Sequence, residues 1–250
     1  TFIKNNAGIG GAALAWMNVS DIKIVNYTFI NNSAGEHGGA IFVEEQSDNC
    51  KVVDCYFEGN FVTFGHGGAI DWIGQNGQIA NTTFKNNYAE YAGAVLICDH
   101  ADNMTITDSN FEECYATKTS GGAIEACGPN TKITDCNFTS CSAMIYGGSI
   151  AGLSAQNATV SNLIIKYSII HGTRDINGDD HGEGGAIYWE NVTGLEISNI
   201  EFFKNEARLQ GGSISLNNCN DSTLYNLTFE KDFTEDYGGS IAWYNSTNDD

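Results

Sequence analysis

Proline is almost missing from this chain: Pro129 is the only one in 250 residues. Proline cannot donate to a β-ladder, so its scarcity suits a chain made largely of interior strands. Positive charge is nearly as scarce. Eleven Lys and Arg stand against 31 Asp and Glu, a formal net charge of -20. Such an acidic surface argues against nucleic acid or an anionic membrane as partner. No apolar run approaches the roughly 18 residues of a membrane-crossing helix, so this segment is not expected to insert into a bilayer. None of the eight cysteines forms a CxxC pair, which removes the usual zinc framework, and no cofactor is expected.

What the chain does contain is a rhythm. An aromatic or aliphatic residue returns at Phe2, Phe29, Phe57, Phe84, Phe111, Phe138, Ile165, Phe202 and Phe229, in steps of 27, 28, 27, 27, 27, 27, 37 and 27 residues. A fixed period in this range marks a solenoid. Three residues before each of the later ones stands a short polar residue, as in Asn26, Asp54, Asp135 and Asn226. Three residues after comes Asn5, Asn32, Asn60, Asn87, Cys114, Cys141, Ser168, Asn205 or Asp232. About ten residues after the aromatic position lies a Gly-Gly-Ala/Ser-Ile cluster, such as Gly38-Gly39-Ala40-Ile41, with Ala92-Gly93-Ala94-Val95 as a degenerate copy.

The segments between these marks are short and rich in Ile, Val, Thr, Phe and Tyr, with Gly, Asn, Asp and Ser between them. That is strand-and-turn chemistry rather than helical patterning. After the glycine pair, apolar residues alternate, as in Ile70 and Trp72 or Ile187 and Trp189. The residues between them (Phe42, Asp71, Glu125, Tyr188, Ser215) belong to an outer, wet face. About three short strands per unit, wound one way, make one coil of an all-β, right-handed parallel β-helix. About nine coils at about 4.8 Å each give a rod of roughly 43 Å. The phenylalanines then form an internal stack. The Asn/Asp positions form a polar ladder at a turn. Gly-Gly serves where a Cβ would clash or φ must be positive. Residues 1–250 read as one β-helix domain, a segment of a longer repeat protein, with an inserted loop at 169–183.

With GGA[I] and FxxN recurring in fixed phase from Phe2 to Ile241, the chain resembles the polymorphic outer-membrane-protein repeats and the adhesin-like surface proteins that carry them. The resemblance implies a right-handed β-helix at the cell surface, extracellular, with a role in adhesion. Its partner would then be a protein or glycan on a host or neighbouring cell.

Several residues are candidates for chemistry. His37, His66 and Tyr91 fall on three consecutive coils before the glycine pairs, at stacking distance, where they could contact a sugar or metal. Asp175-x-Asn177-x-Asp179 opens like a calcium loop, but Gly178 comes one place early and Ala186 stands at position twelve, so a solvated acidic loop is the alternative. Cys114 and Cys141 share a slot on adjacent coils, as do Cys98 and Cys127. Both pairs are disulfide candidates by distance, although parallel Cβ vectors strain such a bridge. Asp71 and Glu125 share an outward slot two coils apart, roughly 9.6 Å by the coil rise. With Asp99 on the intervening coil they admit a glycosidase or lyase reading. No basic residue falls in these slots, as a lyase would want. The expected function is therefore a non-enzymatic adhesive or stalk module. A polysaccharide-active enzyme is the alternative, and a head-to-tail self-assembling repeat unit the second.

Overall fold

The computed structural model describes residues 1–174 and 180–247. Three parallel sheets run along the rod, one of 14 strands and two of nine, and no helix occurs among the described residues. In the second coil the strands are Lys23–Val25, Thr28–Ile30, Ser33–Ala34 and Ile41–Val43. The first two belong to one sheet, broken by the turn at Asn26, so each coil crosses three sheets. From the seventh coil on, the two pieces join into strands Thr159–Lys166, Glu196–Phe203 and Thr223–Glu230.

The periodic residues stack as their spacing requires. Phe84 pairs with Phe57 and Phe111, its ring 4.9 and 4.8 Å from theirs with planes 10° and 4° apart. Ile165 interrupts the pile, which resumes at Phe202 and Phe229, 4.9 Å apart. Burying each ring contributes about 1.5–3 kcal/mol, and each stacked pair about 0.5–1.5 kcal/mol more.

Beside this stack runs a buried amide ladder. Asn32 Nδ2 donates to Asn60 Oδ1 at 2.9 Å, and Asn60 Nδ2 to Asn87 Oδ1 at 3.0 Å. The same amides donate to phenylalanine carbonyls, Asn60 to Phe29 O and Asn87 to Phe57 O, both at 3.0 Å. Where the ladder switches to cysteine, the thiols take over that job: Cys114 Sγ points at Phe84 O and Cys141 Sγ at Phe111 O, both at 3.6 Å. All eight cysteines are thiols in the structure, and the sulfurs of the first disulfide candidate, Cys114 and Cys141, lie against each other as well as against these carbonyls.

The outer Asn/Asp ladder occupies left-handed turns, from Asn81 at φ 47° to Asn26 at φ 61°. Neighbouring side chains hydrogen-bond along the axis, as Asn81 Nδ2 does to Asp54 Oδ1 at 2.6 Å. The two glycines of each pair divide the two reasons for glycine between them. The first has positive φ, as at Gly121 (65°). The second lies against the next coil: a Cβ on Gly122 would sit 2.0 Å from the Gly148 carbonyl oxygen.

The ten-residue excess emerges as an antiparallel hairpin, Thr173–Arg174 paired with Asp180–His181. The calcium candidates Asp175, Asn177 and Asp179 lie outside the described residues.

Candidate functional site

The outer face of the third sheet carries the sequence-derived candidates. Its middle column runs Phe42, Asp71, Leu96, Glu125, Ala151, Tyr188, Ser215 and Ala242 in register. One column over, the residues just before the glycine pairs form isolated parallel bridges, among them His37 to His66, His66 to Tyr91, and Tyr146 to Glu183. The backbone turns sharply at the glycine pair, so this second column folds back over the first.

This overturns the expectation of a wet outer face. Asp71, at 0 % exposure, and Glu125, at 6 %, point outward and are nonetheless buried, as are Tyr188 and Ser215. The column before the glycine pairs, His37 over Asp71 and Ser120 over Glu125, covers carboxylates that strand alternation alone would leave open.

The buried acids are partnered. His37 Nδ1 donates to Asp71 Oδ2 at 2.8 Å, and the Cys98 thiol reaches Asp71 Oδ1 at 3.4 Å. Ser120 Oγ donates to Glu125 Oε2 at 2.6 Å, and Cys127 Sγ lies 4.0 Å from Glu125 Oε1. Asp71 and Glu125 do share a slot two coils apart, with Leu96 between them. Asp99 projects into solvent beside His100, their atoms 2.7 Å apart. The second disulfide candidate, Cys98 and Cys127, sits on adjacent coils with each thiol turned to a carboxyl group.

These contacts shift the titrating groups. Burial pushes Glu125 up to about 7, with the Asp71 charge adding and the Ser120 hydrogen bond opposing. The hydrogen bond to Asp71 raises His37, against its partial burial. Burial drives both the Cys98 and Cys127 thiols far up, helped by Asp71 and Glu125 respectively, so neither is a ready nucleophile. Groups raised on folding bind protons more tightly in the folded chain, so their contribution to stability is lost as pH rises through the folded value. For Glu125 that loss spans the interval from its unfolded value of 4.5 to about 7. We therefore expect Glu125→Gln to flatten the fall in melting temperature between about pH 5 and 8. Parallel wild-type and variant melts with unchanged slope would contradict this placement of Glu125.

The three stripe residues lie ring against ring: His37 stacks on His66 with centroids 6.0 Å apart, and His66 meets Tyr91 at 4.9 Å with the planes tilted by 37°. His37 also packs on Phe42 at 5.1 Å and stands where three surface depressions meet. The largest, about 430 Å³, is floored by Asp71, Leu96 and Glu125 and rimmed by Cys98, Asp99, Cys127 and Leu153, so it brings all three acidic candidates to one depression. Among the described residues no group of three or more His, Cys, Asp or Glu is arranged to hold a metal ion.

On this face sequence reasoning missed three contacts. Ser120 is the partner of Glu125, and farther along the same face Tyr244 OH donates to Glu183 Oε2 at 2.6 Å while Tyr188 stacks on Tyr146 at 4.4 Å. The signal was available: the residue before each glycine pair and the one five places later share this face, as 37 with 42 and 120 with 125.

Two solved structures resemble the chain. The Agl-KA catalytic domain aligns with a TM-score of 0.37 and 16% identity, over 96% of this chain and 59% of that one. The catalytic domain of a GH87 alpha-1,3-glucanase in complex with tetrasaccharides aligns with a TM-score of 0.27 and 10% identity, over 99% and 64%. The chain thus spans about three-fifths of the length of these domains, and at such similarity neither bears on function. A comparison with curated proteins found no match. Residues 26–44, which hold one copy of each motif, match the Chlamydia polymorphic membrane protein repeat. Residues 39–229 match the right handed beta helix region, and with most of its length inside that match the chain belongs to the right-handed β-helix family.

Proposed function

We propose that this chain is a non-enzymatic, adhesin-like module of the extracellular surface. On this reading a rigid β-helix presents the His37–His66–Tyr91 wall and its surrounding depressions to a protein or glycan on another cell. One observation carries the reading: Asp71 is wholly buried, with both carboxylate oxygens engaged by His37 and Cys98. Asp71 therefore acts as a buttress for the imidazole wall, at the floor of the largest depression but with both oxygens already engaged. A carboxylate that must attack or activate water needs access to it. His37, by contrast, keeps a third of its side chain exposed at the junction of the depressions.

The test is binding of the purified chain to cell surfaces and a glycan array. Replacing both His37 and His66 with alanine is expected to weaken binding about tenfold or more, as loss of a central contact cluster does. Wild-type protein that binds nothing across both panels, or a double variant that binds as wild type does, would overturn the proposal.

The enzymatic alternative keeps one observation in its favour: Glu125, raised to about 7, has the protonation behaviour of a general acid. We expect no reducing-sugar release from a broad polysaccharide panel. Release by the wild type that Glu125→Gln abolishes would replace the adhesive reading with the enzymatic one.

A further inference from the structure

We propose that a second site, on the last three coils and on a different sheet, binds a sugar carrying a single anionic group. Basic residues number 11 in the whole chain, and three of them, Lys166, Lys204 and Lys231, gather here around two aromatic rings. Tyr167, Lys204 and Lys231 occupy equivalent left-handed turn positions, at φ 58°, 53° and 61°. Lys166 stands in register with Phe203, and Phe203 with Glu230. The winding of the chain thus assembles the patch from residues far apart in sequence.

The rings hold the ammonium groups. Lys204 Nζ lies 5.8 Å from the Tyr167 ring centre and 5.1 Å from that of Phe203, and Lys231 Nζ lies 5.3 Å from Phe203. The two rings meet edge to face at 5.5 Å. Lys231 also pairs with Glu230 at 2.7 Å. Among the described residues, neither Lys166 nor Lys204 has a carboxylate within ion-pair distance, in a chain where acids outnumber bases almost threefold.

Beside them lies a depression of about 300 Å³, lined by Lys166, Tyr167, Phe203, Glu201, Thr228 and Glu230. That is the small end of ligand sites, which run from about 300 to 1,000 Å³. The lining combines an ammonium group, hydroxyl and carboxylate acceptors, and an exposed tyrosine ring. A neutral sugar would leave the lysines unused. A simple carboxylate would meet Glu201 and Glu230 with no hydroxyl to give them. A long polyanion would be repelled by the net charge of -20 wherever it left the patch. A single acidic sugar uses all of these groups: its anion on Lys166 in the lining, with the Lys204 ammonium on the Tyr167 and Phe203 rings adding positive charge at the rim, its hydroxyls on the glutamates, its apolar face against Tyr167. The site is independent of the His37 face, so either proposal can fail alone.

The test is titration of the whole chain with methyl glucuronide, glucose 6-sulfate and methyl glucoside, followed by ligand-observed NMR. Ligands of this size bind in the millimolar range. We expect at least one acidic sugar to saturate there and the neutral glucoside to bind about tenfold more weakly or not at all. The tighter of the two acidic sugars then identifies the anion as carboxylate or sulfate. The Lys166→Ala, Lys204→Ala pair should cut binding about tenfold, and Lys204→Gln, which keeps the stem, should weaken it in the same direction. Lys23→Ala on a distant coil should leave it unchanged. Equal binding of uronide and glucoside, saturation by neither acidic sugar, or a lysine pair variant that binds as wild type does would overturn the assignment.

Discussion

Gly122→Ala is expected to open the rod at its fifth coil, while Ala92→Gly one coil earlier is expected to strengthen it. Both sites belong to the same motif, and the opposite signs follow from the two glycine positions. A methyl on Gly122 would lie 2.0 Å from Gly148 O and 2.5 Å from Ser142 O, both backbone atoms of the next coil. Nothing there is a flexible tip that can yield. Relief requires separating two coils and breaking ladder hydrogen bonds on either side, so a loss above about 4 kcal/mol is expected. Ala92 fills the first position at φ 52°, a left-handed conformation that costs a non-glycine residue about 1–2 kcal/mol. Glycine removes that strain and returns about 0.5–1 kcal/mol of it as chain entropy. The net gain should raise the melting temperature by about 1–4 °C. Thermal melts of both variants check the pair. Equal, small shifts would show that the close contact does not constrain the coil.

The second large effect concerns the internal stack. Phe111→Ala should cost about 3–5 kcal/mol, because the ring is fully buried and touches Phe84 and Phe138, each at 4.8 Å. Tyr115, a few residues on, also stacks on its neighbour Tyr88, at 4.9 Å. Tyr115 lies on the outside of the rod, so Tyr115→Ala should cost no more than about 1 kcal/mol. In a solenoid each unit leans only on its neighbours. Faster amide exchange in Phe111→Ala should therefore centre on the coils of Phe84 and Phe138 and fade toward both ends. Uniform acceleration along the chain would contradict that local coupling.

The stacking was legible in the sequence because a solenoid writes its geometry as a period. Phe84 finds Phe57 and Phe111 simply by counting, and Asn60 finds Asn87 the same way. The shared slot of Asp71 and Glu125 was legible for the same reason. Their burial was not. Alternation along a strand says which way a side chain leaves the sheet, but not what lies above it. His37 and Ser120 reach Asp71 and Glu125 only because the backbone folds back at the glycine pair. The thiols show a similar limit. Spacing put Cys114 beside Cys141 but did not reveal that each thiol also reaches a phenylalanine carbonyl of the preceding coil. The basic patch escaped notice because Lys166, Lys204 and Lys231 do not share one repeat slot. Lys166 precedes the turn position that Lys204 and Lys231 occupy, and the aromatic rings that hold them come from two different coils.

The most direct test of the account is a spin-label distance between positions 51 and 223, both exposed, using labels on unnatural residues so that the native thiols stay untouched. Six in-register steps separate them, through Gln78, Thr105, Lys132, Thr159 and Glu196. At about 4.8 Å per step a narrow distribution centred at about 29 Å is expected. A mean displaced by more than two coil rises, about 10 Å, or a broad distribution without a maximum there, would contradict it.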